Sequence, residues 1–188
     1  GVARRICETI GTLNMPSVSE KLGQMAAQAA MVEGLVYGME SGGGYYNGYY
    51  VPDRNLMYTS QVLTQQLYPE FITSMREIAG GGLIMLPSSV KDFENPEIAR
   101  YIHATQNSAV GTSEEKVKFM KLAWDAIGSE FASRHTQYEM FYAGAQFVTR
   151  GHALRTYDWN RSKILVDDIL NSYNLEDMFE KKNVAAEW

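Results

Sequence analysis

A chain of 188 residues, 45% hydrophobic and 21% charged, has the composition of a folded globular domain and excludes wholesale disorder. A formal net charge of −5, with basic residues scattered and only Arg4-Arg5 and Lys181-Lys182 adjacent, gives no electrostatic reason to expect a nucleic acid or an anionic membrane as partner. Cys7 is the only cysteine, so this chain alone can build neither an internal disulfide nor a cysteine-ligated zinc or iron–sulfur centre.

From the start, Val2 to Leu13 reads as the end of a helix without an N-cap, and the chain opens on Gly1 rather than Met. Both features suggest a piece of something longer, against the plainer reading of a tag-derived glycine. No apolar run approaches the roughly 20 residues that cross a bilayer, and the N-terminus lacks a signal-peptide pattern. A lone thiol beside three histidines fits a reducing, cytoplasmic setting.

Three long segments then carry helical periodicity. In the first, Ser17 and Glu20 read as a capping box behind Pro16, and Val18, Leu22, Met25, Ala29, Val32 and Val36 form one apolar stripe ended by Gly42-Gly43-Gly44. Ser41 to Tyr50 reads as a loop. The second starts at an Asp53 N-cap, places Leu56, Leu63, Leu67, Phe71, Met75 and Ile78 on one face, bends at Pro69 and stops at Gly80-Gly81-Gly82. Gly82 to Pro87 is a short apolar run with no strand to pair with, and Pro87 to Gly111 is a long excursion holding one short helix. The third opens on a Thr112-x-x-Glu115 capping box and runs a seam through Val117, Met120, Trp124, Ile127 and Phe131. A last helix spans roughly Arg161 to Tyr173, with Val166, Ile169, Leu170 and Tyr173 inward. The expected fold is all-α: an up-and-down helical bundle, with residues 1–188 forming a single domain.

His103, His135 and His152 match neither the Glu-x-x-His pattern of di-iron bundles nor the His-Glu-x-x-His zinc motif, so no metal site is expected. The Gly42–Gly44 run follows a helix instead of a strand and fails the context test for a dinucleotide fingerprint. No Gly-x-Ser-x-Gly elbow is present. The segment Trp124 to Gly144 differs: Gly128 and Ser129 interrupt the seam, and Glu130, Ser133, Arg134, His135, Tyr138 and Glu139 follow. Small residues beside an arginine suit a planar or anionic ligand lying on a helix surface; the spacing alone favours close helix packing at Gly128 with a solvated face beyond.

Three stretches resemble the C-terminal domain of the 4-hydroxyphenylacetate 3-monooxygenase oxygenase family. They are Gly82 to Ser89 running into Asp92 and Asn95-Pro96, then Lys121 to Phe131, then Arg134-His135, Tyr138-Glu139 and Tyr142-Ala143-Gly144. The segment Gly48 to Pro69 is similar to the helix that precedes them, and the likeness thins after Thr149.

The resemblance implies a bundle like the C-terminal domain of acyl-CoA dehydrogenases, cut from an enzyme whose N-terminal helical and central β domains are absent here. It implies a two-component monooxygenase in which a separate flavin reductase supplies reduced FAD and a phenolic substrate is hydroxylated ortho to its oxygen. The substrate-binding and catalytic residues would lie upstream, so none is carried over, and this portion alone would be inactive. Its implied roles are assembly into a homotetramer and flavin anchoring, the latter through Gly128, Ser129, Glu130, Phe131, Arg134, Tyr142, Ala143 and Gly144. Two other readings stand beside it: a flavin and iron–sulfur dehydratase of the 4-hydroxybutyryl-CoA type, and a non-enzymatic helical interaction module.

Overall fold

The computed structural model describes residues 1–174; the last part of the expected 1–188 domain, Lys181-Lys182 included, lies outside the described residues. Eight helices follow one another as α1 (Val2–Ile10), α2 (Pro16–Ser41), α3 (Arg54–Ala79), α4 (Pro96–Thr105), α5 (Ser113–Ile127), α6 (Glu130–Phe141), α7 (Gln146–Thr156) and α8 (Trp159–Asn171). A small antiparallel hairpin, β1 (Gly44–Tyr46) and β2 (Tyr49–Val51), joins α2 to α3.

The central element is α3, which packs against α1, α2, α6 and α7. Its N-cap is the expected Asp53, whose carboxylate accepts from Leu56 N at 2.8 Å and satisfies one of the free amides of the first turn. Pro69 sits inside the helix, which continues past it to Ala79. The core lies at the far end of α3, where Ile72 and Ala79 meet Ile6 of α1, Leu83, and Met120, Ala123 and Ile127 of α5. The α5 capping box forms as read: Thr112 Oγ1 accepts from Glu115 N and Glu115 Oε2 accepts from Thr112 N.

α2 runs antiparallel to α3, held by a Lys21–Glu77 ion pair and by Gln24 and Gln28 donating to Glu70. Its start and stripe differ from the sequence reading. Met15 is the N-cap and Pro16 holds N1, so Ser17 is already helical and no side-chain cap bond forms. Met25 alone of the stripe is buried, Ala29 and Val36 are exposed, and Gln28 reaches Glu70 of α3 instead.

Three further corrections concern connections and the chain's end. Ser41–Tyr50 is no plain loop, because Asn47 (φ 49°) and Gly48 (φ 85°) make the two left-handed positions of a tight hairpin turn. α7 was not foreseen at all. Val166, Ile169 and Leu170 of α8 and Tyr173 just past its end, expected inward, are all more than half exposed, and no residue of that helix is buried. The excursion 87–111 does hold one short α-helix, α4, and Gly80–Leu83 is a single 3-10 turn with no strand. No helix among the described residues is long and apolar enough to cross a membrane.

Candidate functional site

The seam of α5 breaks where the sequence placed its small residues. α5 ends at Ile127 and Gly128 is its C-cap; Ser129 then caps α6, accepting from Ala132 N at 3.1 Å while its hydroxyl donates to Asp125 O at 2.8 Å. Arg76 of α3 donates to Ile127 O at 2.8 Å and ties up an end carbonyl of α5. Gly128 opens no space for a ligand. A Cβ there would lie 2.4 Å from the Trp124 ring, so the glycine makes room for the indole folding back over the break.

α6 presents a band of side chains at helical spacing: Phe131, Arg134, Tyr138 and Tyr142. Phe131 was read as part of the buried seam and is instead 75% exposed; the break at Gly128-Ser129 starts a new helix and turns it outward. Trp124 of the same seam is likewise 40% exposed. His135 stacks between Phe131 and Tyr138 with ring centroids 6.1 Å from each, and Tyr138 stacks on Tyr142 at 5.5 Å. Tyr68 of α3 braces His135 edge-on at 5.3 Å, and burial, then the charge of Glu139, pushes the Tyr68 phenol above its ordinary range. His135 Nε2 lies 3.2 Å from Glu139. The Arg134 guanidinium is exposed and makes no hydrogen bond or ion pair among the described residues. A free, bidentate-capable cation within an aromatic band can hold a phosphate and stack a planar ring.

The predicted residues therefore form two groups and not one. Gly128, Ser129, Glu130, Phe131 and Arg134 gather at the start of α6; Tyr142, Ala143 and Gly144 lie beyond its other end, roughly 18 Å away for twelve helical residues. Glu130 supplies negative charge in the first turn of α6, where the helix dipole favours it. Gly144 takes φ 106° and turns the chain into α7.

Sequence reasoning missed what holds that second group. Gln65, 1% exposed in mid-α3, donates Nε2 to Met140 O (3.0 Å) and Gly144 O (2.8 Å), while its Oε1 accepts from the buried Thr149 hydroxyl of α7 at 2.8 Å. All of its polar atoms are satisfied, and the elbow from α6 to α7 is pinned to α3. Its signal was a polar residue on the buried side of an apolar helix.

The other histidines are engaged by neighbours: His103 faces Glu114 at 3.6 Å, and His152 stacks on Tyr58 and meets Arg155 at 2.9 Å. No group of three metal-ligating side chains occurs among the described residues.

Comparison with known proteins places this arrangement. The model of the HpaB family, 4-hydroxyphenylacetate 3-hydroxylase C terminal, matches residues 1–171, so the likeness extends past Thr149 through α8. The oxygenase component of 4-hydroxyphenylacetate 3-monooxygenase from Pseudomonas aeruginosa is 33% identical over 157 residues, covering 82% of this chain and 30% of that protein. The crystal structure of the oxygenase component (HpaB) of 4-hydroxyphenylacetate 3-monooxygenase complexed with FAD superposes with a TM-score of 0.85 at 27% identity, over 90% of this chain and 36% of that one. An archaeal 4-hydroxybutyryl-CoA dehydratase from N. maritimus superposes at a TM-score of 0.80 with 20% identity over 93% of this chain and 35% of that one, a likeness of fold alone. The chain spans about a third of the length of the curated relatives it matches. It belongs to the 4-hydroxyphenylacetate 3-hydroxylase C-terminal family.

Proposed function

We propose that this chain is the C-terminal, flavin-anchoring and oligomerising portion of a two-component monooxygenase that hydroxylates a phenol ortho to its oxygen. Reduced FAD comes from a separate flavin reductase, the intact protein is a cytoplasmic homotetramer, and the phenol is bound by the upstream two-thirds. The observation that carries the reading is the α6 band: an unpaired Arg134 between Phe131 and Tyr138, in a family whose relative has been solved with FAD.

The bound reduced flavin would supply the electrons and the oxygen chemistry. Arg134 pairs with its pyrophosphate by charge-assisted hydrogen bonds. Tyr138 and Tyr142 offer faces for the adenine, and Phe131 shields the phosphate contact from water. Ser129 and Glu130 shape the first turn of α6, while the Tyr142-Ala143-Gly144 elbow, fixed by Gln65, sets the far limit of the cradle. Gly128 acts through Trp124, whose ring it seats.

The test is turnover of a simple phenol by the intact protein with a flavin reductase, NADH and air. A catechol is expected, and Arg134→Ala should weaken binding of reduced FAD by about 10-fold, as for loss of a charge-assisted hydrogen bond. Failure of the intact protein to bind reduced FAD overturns the reading. The dehydratase reading has only the shared fold in its favour, and the interaction-module reading leaves the α6 band without a purpose.

A further inference from the structure

The start of α3 and the last turn of α7 wall an open cavity of about 530 Å³ that shares no residue with the α6 band. Two arginines line it, Arg54 at the first position of α3 and Arg155 near the end of α7. Neither forms an ion pair among the described residues. Arg155 stands where a helix dipole favours a cation. Arg54 stands where the dipole opposes one, and no acidic residue shares its first turn. Asp53 is the one carboxylate in the wall, and its Oδ1 is engaged in capping Leu56 N. Two guanidiniums against that carboxylate leave the lining with a net positive charge.

The remaining lining supplies donors. Arginine can only donate, so in its 2.9 Å contact with Arg155 the His152 Nδ1 accepts, and the imidazole proton sits on Nε2. That bond orients the Arg155 fork and leaves its charge unpaired. Tyr58 stacks on the imidazole, with centroids 4.7 Å apart and planes 12° apart, and holds the ring in place. Neither His152 Nε2 nor the Asn55 side-chain amide has a hydrogen-bond partner among the described residues. Like charges gathered without a counter-ion repel, and donors converging on one cavity from two helices match an anion rich in acceptor oxygens. A carboxylate offers two oxygens in one plane and suits a single arginine fork. A phosphate group offers oxygens in several directions and a charge of roughly −1.5 to −2, which suits two.

We propose that this cavity binds a phosphate group, held by Arg54 and Arg155 with His152 Nε2–H as a further donor. The site uses none of the residues assigned to the flavin cradle, so it stands or falls separately from that reading.

Titration calorimetry of the intact protein with inorganic phosphate tests it. Saturable binding is expected, weakened about 10-fold by Arg54→Gln or by Arg155→Gln and lost when both are changed. His152→Phe keeps a ring against Tyr58 but loses the donor, and should weaken binding by a smaller factor. Arg134→Ala should leave it unchanged. Thermal unfolding supplies a second readout: phosphate should raise Tm of the parent protein and not of the double variant. Without phosphate, Arg54→Gln should match or exceed the parent in Tm, because a cation leaves the helix start. A competition arm names the source of the group. If reduced FAD displaces phosphate, the group is the flavin's own; if both bind together, it belongs to a separate phosphorylated small molecule, and either result supports the site. Absence of saturable phosphate binding, or binding that survives the double change, overturns it. So does a Tm lowered by Arg54→Gln without phosphate, which would mean that Arg54 already has a partner in the intact protein.

Discussion

The far end of α3 and its middle, on the side toward α6 and α7, are held by different physics. Around Ile72 and Ala79 the contacts are apolar and closed, with Ile6, Met120, Ala123 and Ile127 essentially without solvent contact. Around Gln65 the grip is a polar clamp, and beyond it α6, α7 and α8 turn Phe131, Tyr138, Tyr142, Phe147, Leu154 and the α8 face outward. One region is closed; the other leaves apolar side chains exposed among the described residues. On the proposed function, stability and flavin binding are separated along one helix, and substitutions should sort accordingly.

The largest loss of stability is expected at the closed end. Ile127→Ala should cost about 2–5 kcal/mol in urea unfolding, from lost burial plus the cavity left behind. An Ile127→Ala change below about 1 kcal/mol would mean that the core is looser than its burial indicates. Next comes Gln65→Ala, which strands the carbonyls of Met140 and Gly144 and leaves the Thr149 hydroxyl only its bond to Gln146 O; about 1–3 kcal/mol is expected, with faster amide exchange at the α6–α7 elbow. Gly128→Ala should cost about 1–3 kcal/mol by pushing the Trp124 ring off the break, visible as a red-shifted tryptophan emission.

At the open end Phe131→Ala should change stability by less than about 0.5 kcal/mol while weakening binding of reduced FAD. A large stability loss there would erase the contrast between the two ends. Smaller still is the pH effect of Glu114 in the first turn of α5. Hydrogen bonds from its own backbone N–H and from Thr112, aided by nearby His103, hold its carboxyl below the usual range. Its stabilising contribution is therefore complete above the ordinary glutamate pKa and fades as the pH falls through the lowered one. Glu114→Gln should flatten the acid side of the stability profile slightly.

Helix starts written in side-chain chemistry were legible: Asp53 and Thr112-x-x-Glu115 cap as their residue types dictate. Ser17-x-x-Glu20 carries the same pattern and forms no cap, because the helix starts at Pro16, two residues earlier than that pattern implies. The hairpin was present in the sequence as Asn47-Gly48 between tyrosine pairs but obscured by the glycines before it. α7 gave little signal, since only Thr149 of its eleven residues is buried. The same limit produced the error in α8, whose apolar residues read as inward but are exposed among the described residues. At the candidate site, residue types and the α6 start could be read from the sequence. The exposure of Phe131, the indole over Gly128 and the reach of Gln65 across 84 positions to Thr149 could not, because each depends on where separate helices come to lie.

The Gln65 clamp also shapes how the chain can drift through mutation. Replacing Thr149 alone leaves a buried amide oxygen without a donor, and replacing Gln65 alone leaves two carbonyls wanting. Even an apolar pair at both positions would abandon the carbonyls of Met140 and Gly144. Every single-residue path out of the arrangement passes through a worse state, so Gln65 and Thr149 should persist together, or change together, wherever the elbow keeps its shape.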